Sequence, residues 1–354
     1  MRFLGKHFNR FLCAVFVAAL TIAAACVAGE ESHGTLYVYT WANYFSPRAV
    51  ELFEQRHDCK VEFYYYDSND TMQENLRESG GYDVITPSST VAADLFSAGA
   101  LLTLDHSLIP NLRHFDTETP ALVQDAEMRY GIPYTLTVTG LGYNPERVSA
   151  EAVRSWDIFG DAARANRMTM MNDMRETLGA GLKHLGHSLN TVDEAEILEA
   201  TRLVGKWKDN LAVFDVDQAR EGLREDRYDV IQAYNGDMAL LISETPNLAF
   251  YIPEEGAPLN TDKFVIAADA PNPDLAHAFI NHFLDPEIAA MNMEDVYFFM
   301  PVPEAIGKLS KRLRDNPAFD LSRFSLEKCE MILNVGANRR LYDEAWETVL
   351  IGDE

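Results

Sequence analysis

The chain has 354 residues, of which 47% are hydrophobic and 24% are charged, and its formal net charge is −25 at pH 7. This length suits two lobes better than one average domain, and the apolar content can fill a core without structural metal ions. No long acidic tail holds the negative charge, so it is spread over a globular surface. Such a surface argues against nucleic-acid or acidic-membrane binding and does not oppose a cationic ligand.

The first 25 residues have the pattern of a secretory signal peptide. Three basic residues precede an apolar run from Phe11 to Ile22, which is too short for a membrane span. Small residues then lead into Cys26, as at a bacterial lipoprotein cleavage site. We therefore expect a signal peptide over 1–25, then a lipidated Cys26 and a spacer over 26–34. The alternative is an ordinary cleaved signal with an incidental cysteine.

Two cysteines, Cys59 and Cys329, remain for the folded body of the exported chain. They can pair in an oxidising compartment, and two separate buried thiols are an equally open alternative. No Cys-x-x-Cys pair is present and the nine histidines are scattered, so we expect no zinc site and no cofactor.

The N-terminal part alternates between strand and helix patterns. Leu36 to Tyr39 is short and apolar, as in a strand buried on both faces of a parallel sheet. Ser46 and Pro47 suit the start of a helix, for which Val50, Leu52 and Phe53 are core candidates. Three strand-to-helix transitions in the first hundred residues predict a doubly wound parallel sheet. The segments in order are strand 36–39, helix 47–57, strand 59–66, helix 71–78 and a short strand from Tyr82.

The rest of the chain continues this alternation with two long extended runs. Tyr130 to Gly140 is β-branched without helical periodicity and suits a strand that crosses between lobes. Asp262 to Ile266 has the pattern of the return crossing, and the last fifty residues read as helical. Between and after these runs we expect strand 167–171, a helix within 191–209, strand 228–233, strand 248–253 and helix 273–283.

Five segments together resemble the polyamine-binding (spermidine/putrescine) proteins of bacterial ABC importers. The resemblance covers nearly the whole mature chain, in order. It implies an α/β, two-lobed periplasmic-binding-protein fold of type II with two crossover strands at the hinge. The N-terminal lobe would comprise 35–138 and 263–308, and the C-terminal lobe 139–262 and 309–354. The five segments are Tyr39–Tyr44, Tyr66–Met72, Tyr82–Ser88, Asn172–Glu176 and Tyr234–Asp237.

The same resemblance implies which residues contact the ligand. Aromatic side chains pack against its methylene chain, a serine hydrogen-bonds an amine, and carboxylates bind the ammonium groups. Tyr234 stands where the family usually has Trp, and Asp237 matches an acid of the putrescine-preferring members. The implied ligand-binding residues are Trp41, Tyr44, Ser88, Asp173, Glu176, Tyr234, Asp237 and Asp262.

Some positions depart from the family pattern. Asn260 and Thr90 replace aromatic residues, and Ile332 replaces an expected Gln. A ligand-contacting Tyr of the family falls near Tyr297-Phe298-Phe299, in an ambiguous register. These differences affect the expected preference between putrescine and spermidine more than the class of ligand.

The expected chemistry is consistent with a polyamine. A primary ammonium has three donors and forms charge-assisted bonds with carboxylates, worth about 1.5–3 kcal/mol each when desolvated. Its methylenes gain roughly 0.8 kcal/mol per buried CH₂, and aromatic faces add about 0.5–2 kcal/mol of cation–π attraction. We expect a monomeric receptor that closes on its ligand and delivers it to ABC permease subunits. It would touch the membrane only through the lipid anchor, in the periplasm or cell envelope.

Each residue also has a purely structural explanation. Trp41 suits core packing, Asp173 suits a helix cap, and Glu176 suits a solvated first-turn acid. Asp237 suits a turn, and Asp262 beside Lys263 suits a surface ion pair.

Two other functions remain open. The first is the same fold binding another organic cation or an amino-acid-like solute. The second is a secreted hydrolase using Asp173 and Glu176 as paired acids. No nucleophile elbow, phosphate loop or metal motif supports an enzyme.

Overall fold

A computed structural model describes residues 34–66, 68–122, 124–319 and 326–352. The expected signal peptide over 1–25 and the lipidation at Cys26 lie outside the described residues. Within the described part, no helix combines the length and apolarity that a membrane crossing requires.

The N-terminal lobe is built on three parallel strands with helices between them. β1 pairs with β2 on one side and with β3 on the other, both in parallel register. Ser46 caps α1 by accepting a hydrogen bond from the amide of Ala49. Phe53 is buried on the inner face of α1, whereas Leu52 is 38% exposed, so its prediction as a core residue was wrong. The elements are β1 (Thr35–Trp41), α1 (Pro47–His57), β2 (Lys60–Tyr66), α2 (Asn69–Glu78), β3 (Val84–Ile85) and α3 (Ser89–Ser97).

Two long strands join the halves of the molecule, as the sequence predicted. β4 (Ile132–Tyr143) and β9 (Pro258–Ile266) pair antiparallel, and the strand order is β2-β1-β3-β9-β4-β7-β5-β6. β9 begins four residues before the predicted start at Asp262, because its first part pairs with β4 and with a short late strand.

The C-terminal lobe repeats the strand–helix alternation. β5 pairs in parallel with β6 and β7, while β4 extends into this sheet antiparallel to β7 and β8. The elements are β5 (Met168–Met170), α4 (Met174–His184), α5 (Glu194–Lys208), β6 (Leu211–Phe214), α6 (Asp217–Arg224), β7 (Val230–Tyr234), α7 (Asn235–Glu244) and β8 (Ala249–Tyr251).

Elements from the C-terminal part of the chain pack against both lobes. α8 packs against α1, and α12 packs against α4 and α5. The expectation of helix throughout the last fifty residues was wrong, because β10 pairs with β9 between two helical segments. The elements are α8 (Pro273–Phe283), α9 (Pro286–Val296), α10 (Pro303–Ile306), α11 (Lys311–Arg314), β10 (Glu330–Met331) and α12 (Arg339–Ile351). Short 3-10 helices span 106–108, 110–114, 120–122, 152–154, 156–160, 162–164 and 336–338.

The two cysteines of the folded body are separate thiols. Cys59 is buried and Cys329 is half-buried, and both are free. Burial is the main reason why the pKa of each thiol is raised. The open question of a disulfide is thereby answered in favour of two separate thiols.

Candidate functional site

Most of the predicted ligand-binding residues follow the ends of strands. Trp41 is the last residue of β1, Ser88 is the N-cap of α3 after β3, and Tyr234 is the last residue of β7. Asp173 is the N-cap of α4 soon after β5. Because open α/β sheets bind ligands beyond the carboxyl ends of their strands, these positions define a candidate cleft between the lobes.

Asp262, on the crossover strand β9, is the acid of the N-terminal-lobe end of the cleft. It is half-buried, and its Oδ2 accepts a hydrogen bond of 2.5 Å from the Tyr44 hydroxyl. The backbone at Asp262 also forms an isolated bridge with Ser88. Burial raises the pKa of the Asp262 carboxyl to about 6, against the lowering effects of Tyr44 and Trp41. A carboxylate with this partial solvation is available for a cation.

Trp41 and Tyr44 supply the aromatic wall at this end. The Trp41 ring lies edge-on to Tyr66 at a centroid distance of 4.5 Å and stays half-exposed. Its indole nitrogen lies close enough to Asp262 to lower the pKa of that carboxyl, but no acceptor meets hydrogen-bonding geometry for this buried donor. Trp41 thus packs against the core and also places its indole nitrogen near Asp262.

Glu176 is the acid of the C-terminal-lobe end, and it is fully buried. Its Oε2 accepts a hydrogen bond of 2.6 Å from the Thr139 hydroxyl, whereas its Oε1 has no hydrogen-bond partner. Burial, followed by the nearby Asp173 carboxylate, raises the pKa of Glu176 to about 8. The interpretation of Glu176 as a solvated first-turn acid was wrong, because the α4 face that carries it packs inward.

Asp173 has the structural role that its position suggested, and it also faces solvent. Its Oδ1 accepts hydrogen bonds from the amides of Arg175 (2.9 Å) and Glu176 (3.1 Å), which caps α4. The residue is exposed, and its second carboxylate oxygen takes no part in these cap bonds. Its negative charge contributes to the raised pKa of both Glu176 and the Tyr234 hydroxyl.

Two threonines that the sequence analysis did not single out connect the two ends. Thr135 contacts the Tyr44 hydroxyl at 2.8 Å and Thr139 binds Glu176, and both lie on β4. They are four residues apart, so they point to the same face of the strand, roughly 13 Å apart along it. β4 thus forms the floor between the two acids. Only the regular Thr alternation at 135, 137 and 139 hinted at this role.

Asp237 differs from the other predicted acids because a basic side chain already holds it. Arg220 of α6 donates from Nη1 to Asp237 Oδ1 at 2.7 Å. Sequence reasoning missed Arg220, since nothing in its local pattern indicates a contact with a residue 17 positions later in another helix. The carboxylate therefore does not face the cleft as a free acid.

The aromatic residues 297–299, whose alignment with the family's ligand-contacting Tyr was ambiguous, lie in three different environments. Phe298 lies edge-on to Tyr44 at 5.2 Å between centroids and covers Gly236, where an added Cβ would approach its ring to 2.5 Å. Tyr297 adopts φ 63° at the end of α9, and Phe299 forms an isolated bridge with Leu136. Phe298 is thus the member that reaches the predicted site and touches both lobes.

Three replacements of family residues have local explanations. The Thr90 hydroxyl lies 3.2 Å from that of Ser88, the Asn260 side chain accepts a hydrogen bond from the Thr261 amide, and Ile332 is buried.

Lys263 is not a surface partner of Asp262. Its side chain is fully buried on the opposite face of β9, with Nζ 4.9 Å from the centre of the Tyr130 ring and without a hydrogen bond. Burial lowers the pKa of Lys263 to about 8. The surface-pair interpretation of Asp262 was wrong, because adjacent residues of a strand point to opposite faces.

Two lobes joined by two crossover strands, with acids and aromatic rings at the strand ends between them, define a periplasmic solute-binding protein of type II. The model of the bacterial extracellular solute-binding protein family matches residues 48–320, and the chain belongs to that family. Its members bind solutes, so this is a binding protein and not an enzyme.

Several known proteins are similar over most of the chain. A putrescine/cadaverine-binding protein of Pseudomonas aeruginosa is 32% identical over 284 residues, covering 77% of this chain and 79% of that protein. A spermidine/putrescine-binding periplasmic protein of Haemophilus influenzae is 28% identical, covering 97% of this chain and 98% of its own. The crystal structure of the TpPotD lipoprotein of Treponema pallidum is 31% identical with a TM-score of 0.81, covering 89% of this chain and 99% of that one.

Proposed function

We propose that the protein is the receptor of an ABC importer for polyamines, binding putrescine, spermidine or a related diamine between its lobes. The observation that carries this proposal is the pair of acids on one side of β4. Asp262 is half-buried and Glu176 is fully buried. Within the described part of the chain, neither carboxylate forms an ion pair with a basic side chain. A buried charged carboxylate without a cation is costly, so a ligand with one ammonium at each end would stabilise the charged form of both acids.

The surroundings of the two acids suit a flexible dication. Trp41, Tyr44 and Tyr234 supply apolar faces for methylenes and cation–π attraction for the amines. Ser88 lies beside Asp262 and supplies a neutral hydrogen-bonding group for the same amine. An anionic solute would need helix amides or arginines directed at these positions, where carboxylates stand instead.

The names of similar proteins support the same ligand class. Both curated relatives described above are named as binding putrescine, one of them with cadaverine and the other with spermidine. We further propose that the ligand is released to membrane permease subunits, that the protein acts as a monomer in the periplasm, and that Cys26 anchors it through lipid. The lobe boundaries 35–138 with 263–308 and 139–262 with 309–354 are part of this proposal.

The mechanism would be closure of the two lobes. Phe298 on Gly236 and the hydrogen bond of 2.6 Å from Asn334 Nδ2 to Asp94 Oδ1 join the lobes in this conformation. A dication held beside Asp262 and Tyr44 at one end and beside Glu176 at the other would contact both lobes only when they are closed, because Tyr44 belongs to the N-terminal lobe and Glu176 to the C-terminal lobe. The ligand would therefore shift the population to the closed state.

Calorimetric titration of the purified protein tests the function directly. Putrescine, cadaverine and spermidine are titrated in parallel with arginine and glutamate. We expect micromolar or tighter binding of at least one polyamine and none of glutamate. Binding of an amino acid without any polyamine would favour the amino-acid-like solute instead, and would contradict the proposal.

A further inference from the structure

Tyr134 lies at a bulge in the crossover strand β4, beside the Asp262 end of the candidate cleft. Lys263 and Asp262 are consecutive on β9, but they pair with residues of β4 that are two positions apart, so Tyr134 is an extra residue on β4. A bulge changes the direction of the side chains around it. As a result, both Tyr134 and Thr135 reach Tyr44. The Thr135 hydroxyl lies 2.8 Å from the Tyr44 hydroxyl, and the Tyr134 hydroxyl donates to the Tyr44 carbonyl at 2.5 Å.

A hydrogen-bonded network of buried side chains holds Tyr134 from behind. Asn292 of α9 donates from Nδ2 to the Tyr134 hydroxyl at 2.8 Å, and its Oδ1 accepts a hydrogen bond from the Ser46 amide at 2.8 Å. Both Tyr134 and Asn292 are fully buried. Buried polar networks whose members are paired are rigid, so this one fixes the backbone of residues 44–46 relative to β4 and α9.

The side chain of Tyr44 connects this network to the acid. Its hydroxyl donates its single proton to Asp262 Oδ2 at 2.5 Å, so the Thr135 hydroxyl is the donor in its own contact with Tyr44. The rings of Tyr44 and Tyr134 lie edge to face, with their centroids 5.2 Å apart. The hydrogen bond to Asp262 therefore comes from a residue whose ring and carbonyl both contact Tyr134.

We propose that Tyr134 is a positioning residue of the ligand site: it fixes Tyr44 and thereby holds the Asp262 carboxylate in the orientation that receives an ammonium. The inference rests on the proposed function. Tyr134 has no exposed surface for a ligand to touch. Its substitution should therefore change the acid without removing a ligand contact.

The charge of Asp262 acts on four tyrosine hydroxyls from different elements. Burial is the main reason why the pKa of each hydroxyl is raised, and the Asp262 charge adds to the rise. In return, the hydrogen bond from Tyr44 lowers the pKa of Asp262, which burial raises to about 6. Loss of that hydrogen bond should therefore raise the pKa of Asp262 further. The four hydroxyls are those of Tyr44, Tyr66, Tyr134 and Tyr234.

The substitution Tyr134→Phe tests this inference, because it removes the hydroxyl and keeps the ring. NMR of the Asp262 carboxyl carbon, assigned with Asp262→Asn, gives the titration midpoint in the ligand-free protein. We expect the midpoint to rise by about one pH unit, which lowers the ionised fraction of Asp262 about threefold near pH 6.5. Calorimetry should show the affinity for putrescine falling by about the same factor near pH 6.5 and returning toward the wild-type value at about pH 8.

Tyr143→Phe is the matched control. Tyr143 is also buried and is the last residue of β4, roughly 30 Å along the strand from Tyr134. Its substitution should leave the midpoint and the affinity unchanged. Circular dichroism and the melting temperature check that each variant folds.

A double variant separates positioning from a general structural effect. Tyr44→Phe removes the donor to Asp262 directly, so adding Tyr134→Phe to it should raise the midpoint no further. Equal rises with and without the Tyr44 hydroxyl, or a wild-type midpoint in Tyr134→Phe, would overturn the inference while the polyamine function stands. A wild type that binds no polyamine would overturn the proposed function even if the midpoint shifts as expected, because the midpoint is measured without ligand.

Discussion

The two ends of the cleft differ in how far the protein has already satisfied their acids. Asp262 is half-buried and receives the Tyr44 hydroxyl at 2.5 Å, whereas Glu176 is fully buried and keeps one oxygen without a partner. The pKa is raised to about 6 for Asp262 and to about 8 for Glu176, mainly by burial in each case. At pH 7 these values make Asp262 mainly ionised and Glu176 mainly protonated.

On the proposed function, this difference predicts one end that is ready for a cation and one that its ligand completes. The charged Asp262 carboxylate would attract the first ammonium. Glu176 would lose its proton only when the second ammonium arrives, which would couple ligand capture to lobe closure. The four predictions below test this difference.

The largest expected effect is the loss of either acid. Asp262→Asn and Glu176→Gln should each weaken putrescine binding by roughly 2–5 kcal/mol, or at least about 30-fold in Kd, because a buried ammonium is left without its counter-charge. Asp274→Asn, which changes an exposed first-turn acid of α8, is the control. Unchanged calorimetric affinity in both site variants would remove the acids from the site.

The second effect is the pH dependence of binding. Below pH 8 Glu176 is protonated in the unliganded protein, so binding an ammonium must release that proton. Affinity should therefore rise as pH increases from 6 to 8, by up to about tenfold per unit, and level off above 8. Calorimetry at three pH values measures this, and Glu176→Gln should flatten the rise. A flat profile in the wild type would show that Glu176 is already ionised.

The third effect concerns stability without ligand. Because the pKa of Glu176 is raised in the folded state, the folded protein retains a proton that the unfolded chain releases above about pH 4.5. This group's contribution therefore lowers the free energy of unfolding as pH rises from about 4.5 to 8, by up to about 1.4 kcal/mol per pH unit. Urea denaturation should show Glu176→Gln gaining stability over the wild type as pH increases. A constant difference between the two proteins would contradict the raised pKa.

The smallest effect separates the two roles of Asp173. Asp173→Ala should lower the free energy of unfolding by about 1 kcal/mol, because α4 loses its cap. Asp173→Asn keeps a capping oxygen, so it should cost only a few tenths of that. If Asp173 also binds the ligand, both variants bind putrescine more weakly, and the difference between them appears only in stability. Equal unfolding free energies for the two variants would show that the cap contributes nothing.

The sequence predicted the strand–helix order well, because the short apolar runs and the capping residues act locally. Ser46 with Pro47 gave the start of α1, and the extended run near 130–140 gave the crossover β4. The prediction failed for β10, which lies in a region that has a helical sequence pattern. Only the pairing of β10 with β9, which is distant in the sequence, makes it a strand.

The candidate site was predictable as a set of residue types and not as an electrostatic arrangement. The pattern of aromatic and acidic residues at strand ends depends on the sequence alone, and with the family resemblance it predicts the ligand class. The tertiary structure decided the environment of each charged group: Glu176 is fully buried, Asp237 pairs with Arg220, and the Lys263 side chain is buried. Local sequence specifies which groups are present, but their charge states depend on desolvation and on partners that lie far away along the chain.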